Sequence, residues 1–379
     1  MYSLDQFASM FSDKLRMEAY SAAIAKAVRP NDAVVDLGCG PGIFALLACK
    51  AGARRVYAID MNAVVDFGRH LAAVNGFADR IHFLRGDSRQ IHLPERVNVV
   101  VADVRGVVPL YSHAIDTLED ARKRFLAEDG RMLPSSDTLF ASIVGLPEPY
   151  EHLSHAWKSI PQLDLTSGLP IVLNTIYRHQ LKPHQLLSEA RPWHVLDYVH
   201  GAQVTAQARL ELTIKQTAVG HGIAVWFETC LMEGIGYSTE PQSSETVYGH
   251  LFLPWLEAVP LEAGEVCTVD LRAHLVGNDY IWQWETTLPA TAGRGEIHFT
   301  QSTFYGSLFP PSLLQKRTLE FVPVLTESGL AERWLMQAMD GKRRLEDIAA
   351  EAARLFPHVF RRTEDAFRQA AELAEKFSR

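Results

Sequence analysis

The pattern of apolar and polar positions divides the chain into three parts. A helical stretch over residues 1–30 is followed, from residue 33 to about 145, by short apolar runs that alternate with helical periodicity. Such alternation predicts a parallel sheet with helices on both faces. The predicted strands span 33–37, 55–59, 81–84, 97–102 and 138–144, and the predicted helices span 44–50, 63–75 and 111–125.

The pattern changes after residue 146. Strand-like runs separated by Gly, Pro and Asn predict a mostly β domain, while 147–200 has weak periodicity and is interpreted as an insertion or arm. Helical spacing returns from residue 328. We therefore predict three domains: a doubly wound α/β Rossmann-like domain (1–145), a barrel-like β domain (146–310) and a small helical, winged-helix-like module (325–379). The strands predicted in the second domain are 204–213, 223–231, 246–252, 267–276, 281–287 and 297–304.

A glycine-rich loop follows the first predicted strand. Gly38, Gly40 and Gly42 let the backbone turn sharply and approach a ligand, and the next helix offers free N–H groups at its start. Asp36 precedes the loop, where a carboxylate suits the ammonium of a methionine moiety. Asp60 ends the second strand, where a carboxylate can accept both ribose hydroxyls. Without the third glycine of a dinucleotide loop, this pattern predicts S-adenosylmethionine (SAM) as the cofactor; the alternative is a plain turn with two surface carboxylates.

A third polar segment follows the strand predicted over 81–84. It reads Gly86-Asp87-Ser88, and a polar residue at this position commonly faces the edge of an adenine ring. The alternative interpretation is an ordinary turn. The segment therefore predicts an adenine contact only together with the glycine-rich loop.

Long stretches of the sequence resemble a known family of class I SAM-dependent methyltransferases, the protein arginine methyltransferases. The resemblance covers about residues 1–305 and is carried by VVDLGCGPGIFALLACKAGARRVYAID, VNVVVADVRGVVPLYSHAIDTLEDARKRFLAEDGRMLPSSDTLF and WFETCLMEGIGYSTEP. It implies that Arg16 contacts the cofactor carboxylate and that Ser88 and Arg89 contact the adenine. It also implies a homodimer, with 147–200 as the candidate arm. The expected cofactor-binding residues are Met10, Arg16, Asp36, Gly38, Gly40, Gly42, Asp60, Met61, Asp87, Ser88, Arg89 and Asp103.

The sequence departs from this family where the family holds its acceptor. Its two catalytic glutamates correspond to Asp103 and Ser112 here, and its Thr-His-Trp loop reads Thr246-Val247-Tyr248. A guanidinium group carries five donors in a plane and is oriented best by two carboxylates. One Asp and one Ser supply a single carboxylate. We therefore predict an acceptor other than arginine.

The residues that remain as catalytic candidates are few. Asp103 follows the strand predicted over 97–102, and we expect it to orient the acceptor or remove its proton, unless it is an ordinary loop residue. Ser112, Tyr248 and His250 are further candidates, although the last two fit equally well as core residues of a strand. Arg105 and His113 add cation-capable groups where an arginine pocket would be acidic, unless both are solvated surface residues.

The C-terminal part resembles the small PqqD-like fold. The resemblance is carried by LMQAMDGKRRLEDIAAEAARLFP, with apolar spacing around Asp340-Gly341-Lys342. It implies a module that binds the leader segment of a precursor peptide by strand addition. The alternative is a helical cap packed on the β domain.

Composition excludes several classes of protein. The net charge of −8 disfavours general affinity for nucleic acid, and no apolar run reaches the roughly 18 residues of a membrane span. Early acidic residues argue against a signal peptide, and four scattered cysteines suggest a reduced cytoplasmic protein without a metal site. We predict a SAM-dependent methyltransferase that yields S-adenosylhomocysteine and N-methylates a peptide or protein, such as a ribosomally made natural-product precursor. The alternatives are a carboxylate O-methyltransferase and a non-catalytic binding protein.

Overall fold

The computed structural model describes residues 3–241, 245–308, 311–316 and 318–378. The chain forms two compact units, Met1–Ser307 and Leu308–Arg379. The first unit begins with helices α1 (Leu4–Ser12) and α2 (Lys14–Ala27). Asp13 separates them and caps α2, because its side chain accepts a hydrogen bond from the backbone N–H of Arg16. This cap fixes the direction in which α2 starts.

A parallel sheet follows, in the strand order β3-β2-β1-β4-β5. All five residues of β1 are buried, as expected for a central strand covered on both faces. This strand order confirms the predicted doubly wound fold. The ligand-binding edge of such a sheet lies at the carboxyl ends of its strands. Its elements are β1 (Ala33–Leu37), α3 (Ile43–Lys50), β2 (Arg55–Asp60), α4 (Val65–Val74), β3 (Ile81–Arg85), β4 (Val97–Ala102), α5 (Ala114–Arg124) and β5 (Leu126–Leu133).

The strand predicted over 138–144 is present, but it belongs to the second domain. It is β6 (Ser136–Val144), which pairs antiparallel with two later strands, and the fifth parallel strand is instead Leu126–Leu133. Sequence reasoning missed that strand because its polar residues, Glu128, Asp129 and Arg131, interrupt the apolar run.

The barrel-like part comprises two antiparallel sheets. Their strand orders are β7-β12-β10-β6-β8, with β11 on β10, and β15-β14-β13-β9. The segment 147–200 contains two α-helices and two strands, β7 and β8, which both belong to the six-stranded antiparallel sheet. The predicted strand over 246–252 begins only at His250, after the positive φ of Gly249. The further elements are α6 (Pro147–His155), α7 (Leu169–Leu173), β7 (Tyr177–His179), β8 (Arg191–Asp197), β9 (Ala206–Thr213), β10 (Ala218–Met232), β11 (Ile235–Ser238), β12 (His250–Leu261), β13 (Val266–Val276), β14 (Asp279–Leu288) and β15 (Ile297–Ser302).

The second unit is helical. Its core is formed by buried residues of its last three helices together with Phe360. Among the described residues of this unit the chain forms no strand, so strand addition finds no sheet edge there. Its helices are α8 (Pro311–Gln315), α9 (Glu327–Ala338), α10 (Leu345–Leu355) and α11 (Thr363–Phe377). Across the described parts of both units, no helix is long and apolar enough to span a bilayer.

Candidate active site

The glycine-rich loop between β1 and α3 has the backbone geometry that only glycine adopts easily. Gly38, Gly40 and Gly42 have φ angles of 65°, 53° and 85°. A Cβ atom at Gly40 would lie 2.7 Å from Cε1 of Phe7, and one at Gly38 would lie 2.8 Å from Cγ1 of Val104. The loop therefore forms a close-fitting backbone surface between α1 and the end of β4.

Two carboxylates flank this loop. Asp60 accepts hydrogen bonds from the backbone N–H groups of Gly40 (2.8 Å) and Asn62 (2.7 Å), which fix both of its oxygens. Asp36 accepts one from Ala45 (3.0 Å), while its Oδ1 is buried and has no partner among the described residues. Burial raises the pKa of Asp36 to about 8. An orphaned carboxylate oxygen of this kind suits a cationic ligand group such as an ammonium.

Arg16 lies opposite the loop, near the start of α2. Its Nε–H donates to Asp103 (2.5 Å) and its Nη1 donates to the carbonyl of Met10 (3.1 Å). Its Nη2 forms no hydrogen bond to any residue that the structure describes, which leaves two donors for an anionic ligand group. Burial would lower the pKa of Arg16, but the Asp103 carboxylate, together with Tyr248, Tyr20 and Tyr237, outweighs this and raises it.

The glycine loop, Asp60 and Arg16 line one cavity of about 1180 Å³. Of the predicted site residues, seven line it: Met10, Arg16, Gly38, Gly40, Asp60, Asp103 and Tyr248. Six expected cofactor residues do not line it: Asp36, Gly42, Met61, Asp87, Ser88 and Arg89. Asp36 and Gly42 are buried, whereas Met61 is exposed to solvent. Ser88 is buried, and its carbonyl accepts a hydrogen bond from Arg124.

Asp103 lies at the end of β4, as predicted, but its side chain is fully engaged. Its oxygens accept hydrogen bonds from Arg16, from Nη1 of Arg105 (3.0 Å) and from the Tyr248 hydroxyl (2.6 and 2.7 Å). Burial would raise the pKa of Asp103, but the two guanidinium groups outweigh this and lower it. A carboxylate with a lowered pKa and three donors is a weak proton acceptor. Asp103 is thus better suited to orienting Arg16 and Tyr248.

Arg105 is not a solvated surface residue. Its guanidinium group, 3% exposed, forms a two-hydrogen-bond ion pair with Asp137 of β6, at 2.8 and 2.9 Å. The Tyr198 hydroxyl donates to the same carboxylate (2.8 Å). Arg105 therefore links the loop after β4 to the barrel-like part through a buried ionic network, which sequence reasoning missed because Asp137 lies in another sheet.

The remaining catalytic candidates separate into different environments. Ser112 has a φ of 44° and does not line the cavity. His113 Nδ1 lies 2.9 Å from the Asp116 carboxylate and Nε2 lies 3.0 Å from the amide oxygen of Asn278, and these two acceptors raise the pKa of His113. Both residues therefore lie at the edge of α5.

Tyr248 and His250 lie close in sequence but have different surroundings. The Tyr248 hydroxyl bonds Asp103 and the Tyr237 hydroxyl (3.0 Å), and burial raises the pKa of Tyr248. His250 is buried, and burial lowers its pKa. Its Nδ1 accepts a hydrogen bond from the backbone N–H of Leu181 (3.0 Å), and its Nε2 lies 2.7 Å from the carbonyl oxygen of Thr239. It lines a separate cavity of about 260 Å³. His250 is thus a structural residue of the barrel, whereas Tyr248 faces the main cavity.

Comparisons with known proteins identify relatives of this chain. Residues 17–136 match the family model described as ribosomal protein L11 methyltransferase (PrmA). Protein arginine N-methyltransferase 1 of Saccharomyces cerevisiae is 27% identical over 278 residues, which cover 69% of this chain and 78% of the yeast protein. The probable protein arginine N-methyltransferase 6 of Arabidopsis thaliana is 26% identical over 246 residues, 62% of this chain; the match spans little more than half (56%) of the Arabidopsis protein.

A solved structure shares the same fold. The PRMT1 enzyme–prozyme heterotetrameric complex of Trypanosoma brucei with AdoHcy matches with a TM-score of 0.73 and 21% identity, over 78% of this chain and 97% of that chain. By fold, the first unit is a class I methyltransferase sheet followed by an antiparallel barrel-like part. The predicted resemblance to the protein arginine methyltransferases is confirmed, because the curated and structural relatives named here are protein arginine N-methyltransferases.

Proposed function

We propose that this chain is a SAM-dependent methyltransferase that N-methylates a peptide or protein and releases S-adenosylhomocysteine. The observation that carries the proposal is the 1180 Å³ cavity at the carboxyl end of the parallel sheet, with the glycine loop, Arg16 and Asp60 in its wall. The relatives support it, since those named above are methyltransferases and the trypanosomal structure contains AdoHcy.

Two residues of the cavity wall fit parts of SAM. The Nη2 of Arg16, which has no partner among the described residues, suits its carboxylate, and the fixed oxygens of Asp60 suit its ribose hydroxyls. When bound, SAM supplies a methyl group on a cationic sulfur. The protein's own contribution is to hold an acceptor in line with that methyl group, and positioning of this kind is worth several kcal/mol.

An arginine acceptor is disfavoured by the residues present. The one carboxylate at the family's glutamate positions, Asp103, already accepts from three donors, and Ser112 does not line the cavity. A buried acceptor guanidinium would leave its N–H groups unpaired, at a cost of a few kcal/mol. A neutral nitrogen needs fewer partners. Because Asp103 is a weak base, we expect the acceptor proton to leave to water.

Carboxylate O-methylation is the second candidate, and one observation favours it. Arg178 lines the same cavity and forms no ion pair with any described residue, while it donates to the carbonyl of Val247. A cation in this position can hold an acceptor carboxylate, which requires no proton removal. Esters hydrolyse in base and N-methyl groups do not, so base lability of the product separates the two candidates.

The test has two stages. Calorimetry should detect binding of SAM to the wild-type protein and much weaker binding to Asp60→Ala, with Asp66→Ala, an exposed residue of α4, as the matched control. Labelled SAM is then offered with peptides that differ in one residue, namely Lys, His, Asp, Glu or Arg. Binding without transfer to any acceptor favours a non-catalytic binding protein, and no binding contradicts the proposal. The homodimer and the peptide-binding role of the C-terminal unit stay predictions.

A further inference from the structure

The guanidinium group of Arg105 uses every donor it has. Its Nε–H and one Nη2–H bond Asp137, and the second Nη2–H bonds Thr229 Oγ1 (2.8 Å). Its Nη1 donates to Asp103 (3.0 Å) and to the Tyr20 hydroxyl (2.8 Å). A guanidinium group carries five N–H donors, so none remains for a ligand.

The groups around Arg105 constitute a complete guanidinium receptor. Carboxylates from both parts of the first unit, Asp103 after β4 and Asp137 on β6, bind it from two sides. The ring of Phe227 lies 5.4 Å from its central carbon, within the range of a cation–π contact. Paired carboxylates and an aromatic face are what recognition of an acceptor arginine needs, and here the chain's own side chain occupies them.

We infer that Arg105 is a specificity-determining residue, which excludes guanidinium acceptors by filling this receptor from within. The inference rests on the proposed function and deepens it, because it gives the reason why the acceptor is not arginine. Arg105 lines the same cavity as Arg16 and Asp60, so the receptor adjoins the SAM site. A purely structural link between the two parts of the unit would stabilise the fold and leave acceptor choice unaffected.

A specificity role and a purely structural role of Arg105 are distinguished by removing its side chain from the receptor. Arg105→Ala leaves a guanidinium-sized space between two carboxylates, whereas the control Arg105→Met removes the charge but fills the space. Calorimetry with methylguanidinium, and with urea as the uncharged probe of similar shape, measures whether the space accepts a guanidinium ion. We expect Arg105→Ala to bind methylguanidinium at least tenfold more tightly than the wild type or Arg105→Met, and not to bind urea.

Acceptor choice is the readout that a structural role does not change. Labelled SAM is offered with two peptides that differ only in Lys or Arg. We expect the wild type to leave the arginine peptide unmodified, and Arg105→Ala to shift the ratio toward arginine at least tenfold. Arginine methylation by the wild type overturns the inference, as does equal methylguanidinium affinity in all three proteins or an unchanged ratio in Arg105→Ala.

The outcomes also distinguish this inference from the proposed function. If the wild type binds no SAM, the proposed function fails while methylguanidinium binding still tests the receptor. If Arg105→Ala does not fold, the measurement is repeated with Arg105→Ala combined with Asp137→Asn, which removes the buried charge that loses its cation, while Asp103 keeps its ion pair with Arg16. Saturable methylguanidinium binding by that variant supports the receptor, and its absence contradicts it.

Discussion

The substitution Asp137→Asn tests the buried ionic network between the two parts of the first unit. Asp137 is fully buried; it accepts two hydrogen bonds from Arg105 and one from Tyr198. Asparagine keeps the shape, but it loses the charge and places an NH₂ group against these donors. Removing one partner of a buried ion pair costs about 3–5 kcal/mol, since the other charge stays buried.

This free energy translates into a measurable melting temperature. Unfolding entropy is about 2.1 cal/mol/K per residue, or roughly 0.6 kcal/mol/K for a unit of 307 residues. A loss of about 4 kcal/mol therefore lowers Tm by roughly 6 °C. Differential scanning calorimetry measures this change in Tm directly, with both proteins at the same concentration and without SAM.

The matched control is Asp270→Asn in the same barrel-like part. Asp270 pairs with the exposed Arg209 at 3.5 Å, and such a surface pair is worth about 0–1 kcal/mol. We expect its Tm to stay within about 2 °C of the wild type. If Asp137→Asn melts as Asp270→Asn does, the network does not join the two parts of the unit in the way described.

Three further predictions concern the glycine loop and its carboxylates. Gly40→Ala should weaken SAM binding at least tenfold by displacing Phe7, as calorimetry can measure. The control Gly76→Ala also has a positive φ but no neighbour within 4 Å, so it should lose about 1–2 kcal/mol of stability without an effect on SAM binding. Asp60→Asn should also weaken SAM binding about tenfold, because its NH₂ group would face a backbone N–H; unchanged affinity would contradict the role of Asp60. Burial raises the pKa of Asp36 from 3.8 to about 8, so folding favours its protonated form, and stability should fall as pH rises from about 4 to 8. Asp36→Asn should flatten this dependence in urea unfolding at pH 6 and 8, and an equal slope in both proteins would rule out Asp36 as its source.

Much of the first half could be predicted from local sequence. The strands of the parallel sheet are short apolar runs, and the glycine loop follows the first of them, so β1, β4 and Gly38 all lie where the pattern predicts. The spacing of apolar residues and the positions of glycines are local properties of the chain. β5 could not be predicted, because a strand at the sheet edge accepts the polar residues that interrupt its apolar run.

The sequence by itself determined the class of fold and the loop that would hold SAM, since those depend on residues that are neighbours along the chain. Only the tertiary structure decided the hydrogen bonding of the Asp103 carboxylate. It accepts hydrogen bonds from Arg105 and Tyr248, which lie 2 and 145 residues away along the chain. The tertiary structure also placed Asp137 against Arg105 and moved His250 into the barrel core. Hydrogen bonding and burial set the charge and availability of a side chain, and both depend on partners that folding brings together.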